Sequence, residues 1–160
     1  MAGNGGKLQL SSLEFSLTIC QLHQVLPAEV EIISQFTEVL PGGADSPTRP
    51  FGGFVINFNV ATKIHRDEKD KNFCVVIVIS ENCQGGDLCL EELGVKFSLT
   101  SGDVIIFPSV KISHFNTHFR GERASKVLHT DGAADSWVSF RNFWNHSLYL
   151  IKTDNGGGQL

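Results

Sequence analysis

Apolar and polar positions alternate along most of the chain from about residue 54 to residue 130. The segment Phe54–Val60 places apolar side chains on one face and Asn57 and Asn59 on the other, which is the two-residue period of a strand with one buried face. The run Phe73–Ile79 is apolar throughout and predicts a strand that is covered on both faces.

Shorter segments of the same character follow, and Gly and Asp turns separate them. They predict strands over Leu88–Leu90, Val95–Leu99, Val104–Phe107, His114–Phe119 and Ala124–His129. Short strands at intervals of about 8–12 residues with such turns are typical of an all-β sandwich or jelly roll.

The two ends of the chain have a different pattern. Residues 8–20 alternate loosely and predict an outer strand, whereas apolar residues at helical spacing predict a helix from Pro27 to the Pro41-Gly-Gly stop. Near the other end, Ser136–Phe143 predicts a short helix and Leu148–Lys152 a strand.

These elements predict one domain over residues 1–160, mainly β with flanking helices. Its expected parts are an N-terminal strand, helix and loop (7–50), a jelly-roll catalytic core (51–131), a C-terminal helix and strand (132–154) and a flexible tail (155–160). A chain of 160 residues and 17.5 kDa can bury one core but not two.

Composition and charge narrow the classes of function. A net charge of −4 excludes a global positive field that would attract nucleic acid, although basic residues surround His65 and His114 and predict a basic mouth if the two segments meet. The four cysteines show no zinc spacing and predict free thiols in an intracellular protein, nuclear or cytoplasmic. We expect no membrane segment, and the pattern leaves the oligomeric state open.

The chemistry of the chain centres on His65-Arg66-Asp67. Side chains two apart in an extended segment point the same way, so His65 and Asp67 can converge on one metal ion. A second histidine 49 residues after His65, His114, completes the two-histidine, one-carboxylate set of non-haem Fe(II) oxygenases. His118 shares the strand face of His114 and is the competing third ligand.

Polar residues that could hold a co-substrate lie on the neighbouring predicted strands. The guanidinium fork of Arg123 suits a carboxylate such as that of 2-oxoglutarate, and Ser125 lies two residues later on the same face. Asn57 and Asn59 could also donate hydrogen bonds to that co-substrate. The chain is therefore predicted to be an iron- and 2-oxoglutarate-dependent dioxygenase.

With these residues in view, the chain resembles the double-stranded β-helix (jelly-roll) 2-oxoglutarate oxygenases. It looks most like the Tet/JBP-like set of small proteins of mushroom-forming (basidiomycete) fungi. The resemblance spans about Phe51–Trp144 and rests on FGGFVINFNVATKIHRDEKDKNFCVVIVIS, GGDLCLEELG, SGDVIIFPS, ISHFNTHFRGERASKVLHTD and SWVSFRNFW.

The resemblance implies roles for particular residues. It implies Fe(II) ligation by His65, Asp67 and His114, binding of the distal carboxylate of 2-oxoglutarate by Arg123, and polar contacts from Asp70, His129 and Asp131 to a flipped base in DNA or RNA. The sequence has no counterpart of the zinc-binding cysteine-rich region of the animal Tet enzymes.

The expected reaction is therefore oxidation of a substrate C–H bond, with the methyl group of a modified nucleobase such as 5-methylcytosine as the favoured substrate. One alternative is a 2-oxoglutarate oxygenase that acts on a protein or a small molecule. Another is a non-catalytic jelly-roll binding module. A cupin-type metal enzyme without 2-oxoglutarate would leave Arg123 and Ser125 without a role.

Overall fold

The fold is known from a computed structural model, which describes residues 12–39 and 45–139. The helices are α1 Ser12–Val25, α2 Pro27–Val39 and α3 Ala134–Ser139. The strands are β1 Gly53–Phe58, β2 Cys74–Gly85, β3 Leu88–Leu90, β4 Val95–Phe97, β5 Val104–Phe107, β6 His114–Asn116 and β7 Phe119–His129.

The strands form two antiparallel sheets. The larger sheet has the order β1-β7-β2-β5 and the smaller sheet the order β4-β3-β6. A single bridge between His65 and His114 adds the His-X-Asp segment to the free edge of β6. This is the double-stranded β-helix that the strand pattern predicts, because strands far apart in sequence become neighbours in each sheet.

The larger sheet has a hydrophobic cluster on each face, because neighbouring side chains of a strand point to opposite sides. The cluster on the helix side contains Leu22, Val30, Ile33, Phe51, Phe73, Val75, Ile77 and Leu128. The cluster between the sheets contains Cys74, Val76, Val78, Leu88, Leu90, Phe107 and Ile112. The apolar run predicted to be covered on both faces is therefore β2, the strand that supplies both clusters.

A β-bulge interrupts the pairing of β2 with β7. The register shifts between Glu81 and Gln84, and opposite this shift Gly121 has a φ of 100°. A Cβ atom at Gly121 would lie 2.2 Å from the carbonyl oxygen of Asn82, so only glycine fits there. Gly121 lies two residues before Arg123, which pairs with Ser80 in the continuous register that ends at this bulge.

The N-terminal prediction of a strand is wrong. Residues from Ser12 form helix α1, and Ile19, Leu22 and Leu26 pack on the helix-side cluster at helical spacing. The loose alternation over 8–20 was overridden by this helical periodicity, and residues 8–11 lie outside the described part.

Other boundaries also differ from the sequence prediction. Strand β1 is Gly53–Phe58 rather than 54–60, and β4 ends at Phe97 rather than at Leu99. The strand expected over His114–Phe119 ends at Asn116, and Phe119 begins the 11-residue strand β7. Helix α3 begins at Ala134, two residues earlier than expected. The remainder of the predicted helix 136–143, the predicted strand 148–152 and the tail 155–160 lie outside the described residues.

All four cysteines are free, as expected, and Cys74 is fully buried. Within the described residues, no helix is both long and apolar enough to cross a membrane.

Candidate metal centre and co-substrate pocket

A cavity of about 220 Å³ lies between the two sheets. Residues of β1, β2 and β7 line one wall, and residues of β3 and β6 line the other. The His-X-Asp segment lies at the same cavity, since His65 and Asp67 are among its lining residues. A polar cluster and a closed apolar interior therefore meet at one place.

The three predicted metal ligands are brought together. Each of His65, Asp67 and His114 offers a donor atom, and these atoms lie within 4.8 Å of one another. The Nε2 atom of His65 lies 3.7 Å from Oδ1 of Asp67, and the Nε2 atom of His114 lies 3.5 Å from Oδ2 of Asp67. Two imidazoles and one carboxylate converging in this way suit Fe(II).

Both histidines are oriented by the same kind of contact, a hydrogen bond from Nδ1 to a backbone carbonyl oxygen. Nδ1 of His65 lies 2.6 Å from the carbonyl oxygen of Lys63, and Nδ1 of His114 lies 3.0 Å from that of Ile112. A carbonyl can only accept, so each Nδ1 carries the proton and donates it, which leaves each Nε2 lone pair free for a metal. The ring of Phe107 stands edge-on to His114, with a centroid distance of 4.9 Å, and limits its rotation.

His118 is not part of the cluster. It is exposed and follows the end of β6, whereas His114 is buried and bonded through its backbone to His65. The third donor near His65 and Asp67 is therefore His114.

Arg123 is a buried cation with no ion-pair partner among the residues that the structure describes. Its side chain is 4% exposed, and its Nε atom is buried with no hydrogen-bond partner. Within residues 12–39 and 45–139 it forms no ion pair, and burial lowers the pKa of its guanidinium. A buried charge of this kind is costly unless a counter-ion reaches it. The distal carboxylate of 2-oxoglutarate fits that need.

Gly86 allows Arg123 to take this position. A Cβ atom at Gly86 would lie 2.9 Å from Cδ and 3.0 Å from Nε of Arg123. The glycine also has a φ of 76°, a conformation that other residues rarely adopt. The Gly85-Gly86 turn therefore forms a wall against which the guanidinium lies.

Of the other residues predicted to bind the co-substrate, two line the cavity and one does not. Ser125 and Asn57 face each other across β7 and β1 and both line the cavity. Asn59 does not, and the expectation that it shares the face of Asn57 is wrong. Its φ of 50° ends the strand, and its side-chain oxygen accepts a hydrogen bond from the backbone N–H of Arg123.

Of the three residues predicted to contact the substrate, two line the cavity and one does not. Asp70 and His129 line the cavity and bind each other, with Nδ1 of His129 donating to Oδ1 of Asp70 at 2.9 Å. This hydrogen bond raises the pKa of His129. Asp131 lies outside the cavity lining, and its carboxylate accepts a hydrogen bond from the backbone N–H of Ala133.

The segments that were predicted to form a basic mouth do meet, but two of their cations are neutralised. Arg66 pairs with Glu92, and Lys71 pairs with Asp135 and also lies over the ring of Phe36. Lys63, Lys69 and Lys111 remain exposed around the metal cluster. The local positive charge is therefore smaller than the sequence indicates.

Sequence reasoning missed three polar residues of the cavity region. Thr62 lines the cavity and exchanges two hydrogen bonds with Asn116. Asn116 lines the cavity and donates from Nδ2 to the carbonyl oxygen of Gly86 at 3.3 Å. Its position two residues after His114 could have revealed it, because both share a strand face. Ser109 is fully buried and donates to Oδ2 of Asp70 at 3.2 Å, and nothing in the sequence around it signals this contact.

A double-stranded β-helix with two histidines and a carboxylate at the mouth of its cavity is the arrangement of the non-haem Fe(II) oxygenases. The buried guanidinium behind that cluster and the donor set fit Fe(II) together with 2-oxoglutarate.

Comparisons with known proteins agree with this class at the level of the fold. No family model matches the sequence, and no curated protein matches it. Among solved structures, NgTET1 in complex with 5mC DNA matches with a TM-score of 0.63 and 16% identity, over 74% of this chain and 47% of that chain. A 2OG-Fe(II) oxygenase family oxidoreductase from Burkholderia pseudomallei matches with a TM-score of 0.42 and 23% identity, over 56% of this chain and 57% of that chain.

The chain therefore spans about half the length of these proteins. The predicted jelly-roll fold and the resemblance to Tet/JBP-like 2-oxoglutarate oxygenases are confirmed as a likeness of fold. The closer resemblance to the mushroom proteins stays a prediction.

Proposed function

We propose that this protein is an Fe(II)- and 2-oxoglutarate-dependent dioxygenase that oxidises a C–H bond of its substrate. The observation that carries the proposal is the pairing of two features in one cavity. The donor atoms of His65, Asp67 and His114 converge at the cavity, and Arg123, whose Nε atom is buried with no hydrogen-bond partner among the described residues, also lines it.

Each residue has a defined part in this reaction. His65, Asp67 and His114 would hold Fe(II) on one side and leave its other positions open. Arg123 would bind the distal carboxylate of 2-oxoglutarate with two parallel hydrogen bonds, and Ser125 would donate a third. When bound, iron and 2-oxoglutarate would activate molecular oxygen, which is the oxidant for C–H cleavage, while the chain positions them.

The apolar wall of the cavity has a separate task. Val76, Leu88, Leu99 and Phe107 line it, and they exclude water from the reacting groups. A dry site also strengthens the attraction between Arg123 and a carboxylate, because the local dielectric is low.

The favoured substrate is the methyl group of a modified nucleobase such as 5-methylcytosine. The Asp70–His129 pair supports this choice, since it presents an acceptor and a donor in the cavity that could bind the polar edge of a base. NgTET1, which shares the fold, is seen in complex with 5mC DNA. A base would have to be extruded from a duplex or supplied in a single strand to reach this cavity.

Succinate formation from 2-oxoglutarate and oxygen tests the proposal. Wild type, His114→Ala and Arg123→Ala would be loaded with Fe(II) and given methylated or unmethylated oligonucleotides, single- and double-stranded. We expect turnover by wild type, stimulated by the methylated strands, and loss of at least a hundredfold in both variants. His118→Ala is the matched control, because that histidine is exposed and outside the metal cluster.

The outcomes separate the parts of the proposal. Turnover that methylated strands do not stimulate would argue against a modified nucleobase as the substrate and favour a protein or a small molecule. If wild type binds neither Fe(II) nor 2-oxoglutarate, the proposed oxygenase function is wrong, and a non-catalytic jelly-roll binding module is favoured instead.

A further inference from the structure

Arg66, Glu92 and Ser113 form a hydrogen-bonded network beside the metal cluster. Arg66 lies between the ligands His65 and Asp67, and Ser113 directly precedes the ligand His114. Glu92 belongs to the turn between β3 and β4. The network therefore joins three segments, two of which carry the proposed metal ligands.

Its hydrogen bonds are complementary. Nε of Arg66 donates to Oγ of Ser113 at 3.0 Å, and a terminal nitrogen of Arg66 pairs with Glu92. Ser113 donates from its backbone N–H and from its hydroxyl to the two carboxylate oxygens of Glu92, both at 2.7 Å. The serine hydroxyl thus accepts from the arginine and donates to the glutamate.

The His-X-Asp segment is attached to the fold by separate hydrogen bonds. His65 and His114 exchange two backbone hydrogen bonds of 3.1 and 2.9 Å, and the N–H of Asp67 donates to the carbonyl oxygen of Ser109. Thr62 exchanges two hydrogen bonds with Asn116, and the N–H of Gly132 donates to the carbonyl oxygen of Lys69. The segment from 60 to 69 contains no regular strand or helix in the described structure, so two ligands of one metal lie on an irregular segment without a continuous strand ladder.

The exposure of the network argues against a role in overall stability. The side chains of Arg66 and Glu92 are 45% and 35% exposed, and ion pairs that exposed contribute little to the free energy of unfolding. Contacts that orient metal ligands have larger effects on the metal than on the fold. The hydrogen bonds from Ser113 and Arg66 lower the pKa of Glu92 to about 2, so its carboxylate is ionised at neutral pH.

We propose that Arg66, Glu92 and Ser113 act as a positioning clamp that fixes the His-X-Asp segment against the strand of His114. This inference rests on the proposed function, because it needs the metal site. Arg66 is bonded to Ser113 and Glu92, which holds its two neighbours His65 and Asp67 in place, and Glu92 is the shared acceptor that holds Arg66 to Ser113.

Binding of Co(II) to the full chain, followed by its visible absorption, tests the clamp. We expect Glu92→Gln to weaken Co(II) binding about 10- to 100-fold. We also expect it to change the shape of the spectrum at saturating Co(II), which a purely structural role would leave unchanged. Arg66→Lys, which keeps the charge but loses the fork, should give a smaller change in the same direction.

Lys96→Gln is the matched control. It breaks another exposed ion pair of the smaller sheet, Lys96 with Asp87 at 2.9 Å, which touches none of the metal ligands. We expect wild-type affinity and spectrum for this variant. The thermal unfolding of all three metal-free variants should lie close to that of wild type.

A failure of the proposed clamp can be distinguished from a failure of the proposed function. If Glu92→Gln binds Co(II) with the affinity and spectrum of Lys96→Gln, the clamp is overturned and the metal site stands. If Glu92→Gln and Arg66→Lys lose metal binding only because they unfold, the network is structural and the clamp is also overturned. If wild type binds no Co(II), the proposed function falls and the clamp falls with it.

Discussion

At the scale of single residues, the most informative group is the buried guanidinium of Arg123. Its burial without an anion among the described residues is unfavourable for the ligand-free fold, so the residue makes sense as part of a binding site. In the sequence it is only an arginine two residues before a serine, and the structure shows that it is buried and forms no ion pair within the described residues.

We expect Arg123→Met to stabilise the ligand-free protein by roughly 1–3 kcal/mol, because methionine fills similar space without a charge to desolvate. The same variant should lose the rise in Tm that 2-oxoglutarate gives to metal-loaded wild type. Thermal unfolding with and without 2-oxoglutarate measures both effects. A variant that is less stable than wild type without ligand would contradict this account of Arg123.

The choice between the two nearby histidines also belongs to this scale. His114 and His118 share a strand face by parity, so sequence could rank them but not decide. The short strand β6 ends at Asn116, which leaves His118 exposed. The backbone of His114 pairs with that of His65, so His114 is the histidine that lies at the metal cluster.

At the scale of elements, the β2–β7 pair determines where the co-substrate residues lie. Both strands are long, and the bulge at Glu81–Gln84 is accommodated by Gly121, whose backbone passes close to Asn82. A shift of one residue in β7 would turn Arg123 and Ser125 to the helix side of the sheet, because alternate residues face opposite ways.

We expect Gly121→Ala to destabilise the protein by about 3 kcal/mol or more, since both the positive φ and the clash with a backbone oxygen oppose it. Gly102→Ala is the matched control: its φ is 91°, but a Cβ there would meet nothing within 4 Å. That variant should lose only about 1–2 kcal/mol. Urea unfolding of both measures the difference, and equal losses would argue against the close approach at Asn82.

Most elements could be predicted, and the misses have physical reasons. The apolar run of β2 is a local pattern, so its covered faces follow from the sequence. The alternation over β1 predicts a strand but gives the wrong buried face, since Phe54, Ile56 and Phe58 are exposed and Asn57 lines the cavity. Helix α1 was missed because residues 8–20 fit two periods weakly. Tertiary packing of Leu22 on Val30 and its neighbours in the helix-side cluster selects the helix.

At the scale of the whole molecule, the cavity joins parts of the chain that are far apart in sequence. His129 at the end of β7 binds Asp70, which precedes β2, and Ser109 after β5 binds the same carboxylate. The folded state therefore holds the His129 proton more tightly than the unfolded chain does, since the Asp70 hydrogen bond raises the pKa of His129.

The contribution of the His129–Asp70 hydrogen bond to the free energy of unfolding should consequently fall as the pH rises. A raised folded-state pKa gives stability that is fully present below the ordinary histidine value of 6.5 and is lost as the pH passes the raised value. Urea unfolding of metal-free wild type and His129→Gln over a pH series tests this. We expect the advantage of wild type to shrink above pH 6.5, and an advantage that grew with pH would have the wrong sign.

The sequence by itself determined the features that depend on local order. The two-residue period of an extended chain indicates which side chains point the same way. The convergence of His65 with Asp67 and the shared face of Arg123 and Ser125 could therefore be predicted. The β-rich class followed from the same alternation and the spacing of turns.

Only the tertiary structure decided the contacts between distant segments. Arg66 meets Ser113 and Glu92 across 47 and 26 residues, and His129 meets Asp70 across 59. No local period specifies such pairs, because they depend on how the two sheets fold over each other. The same holds for Asn59, whose positive φ turns it away from the cavity and against the backbone of Arg123.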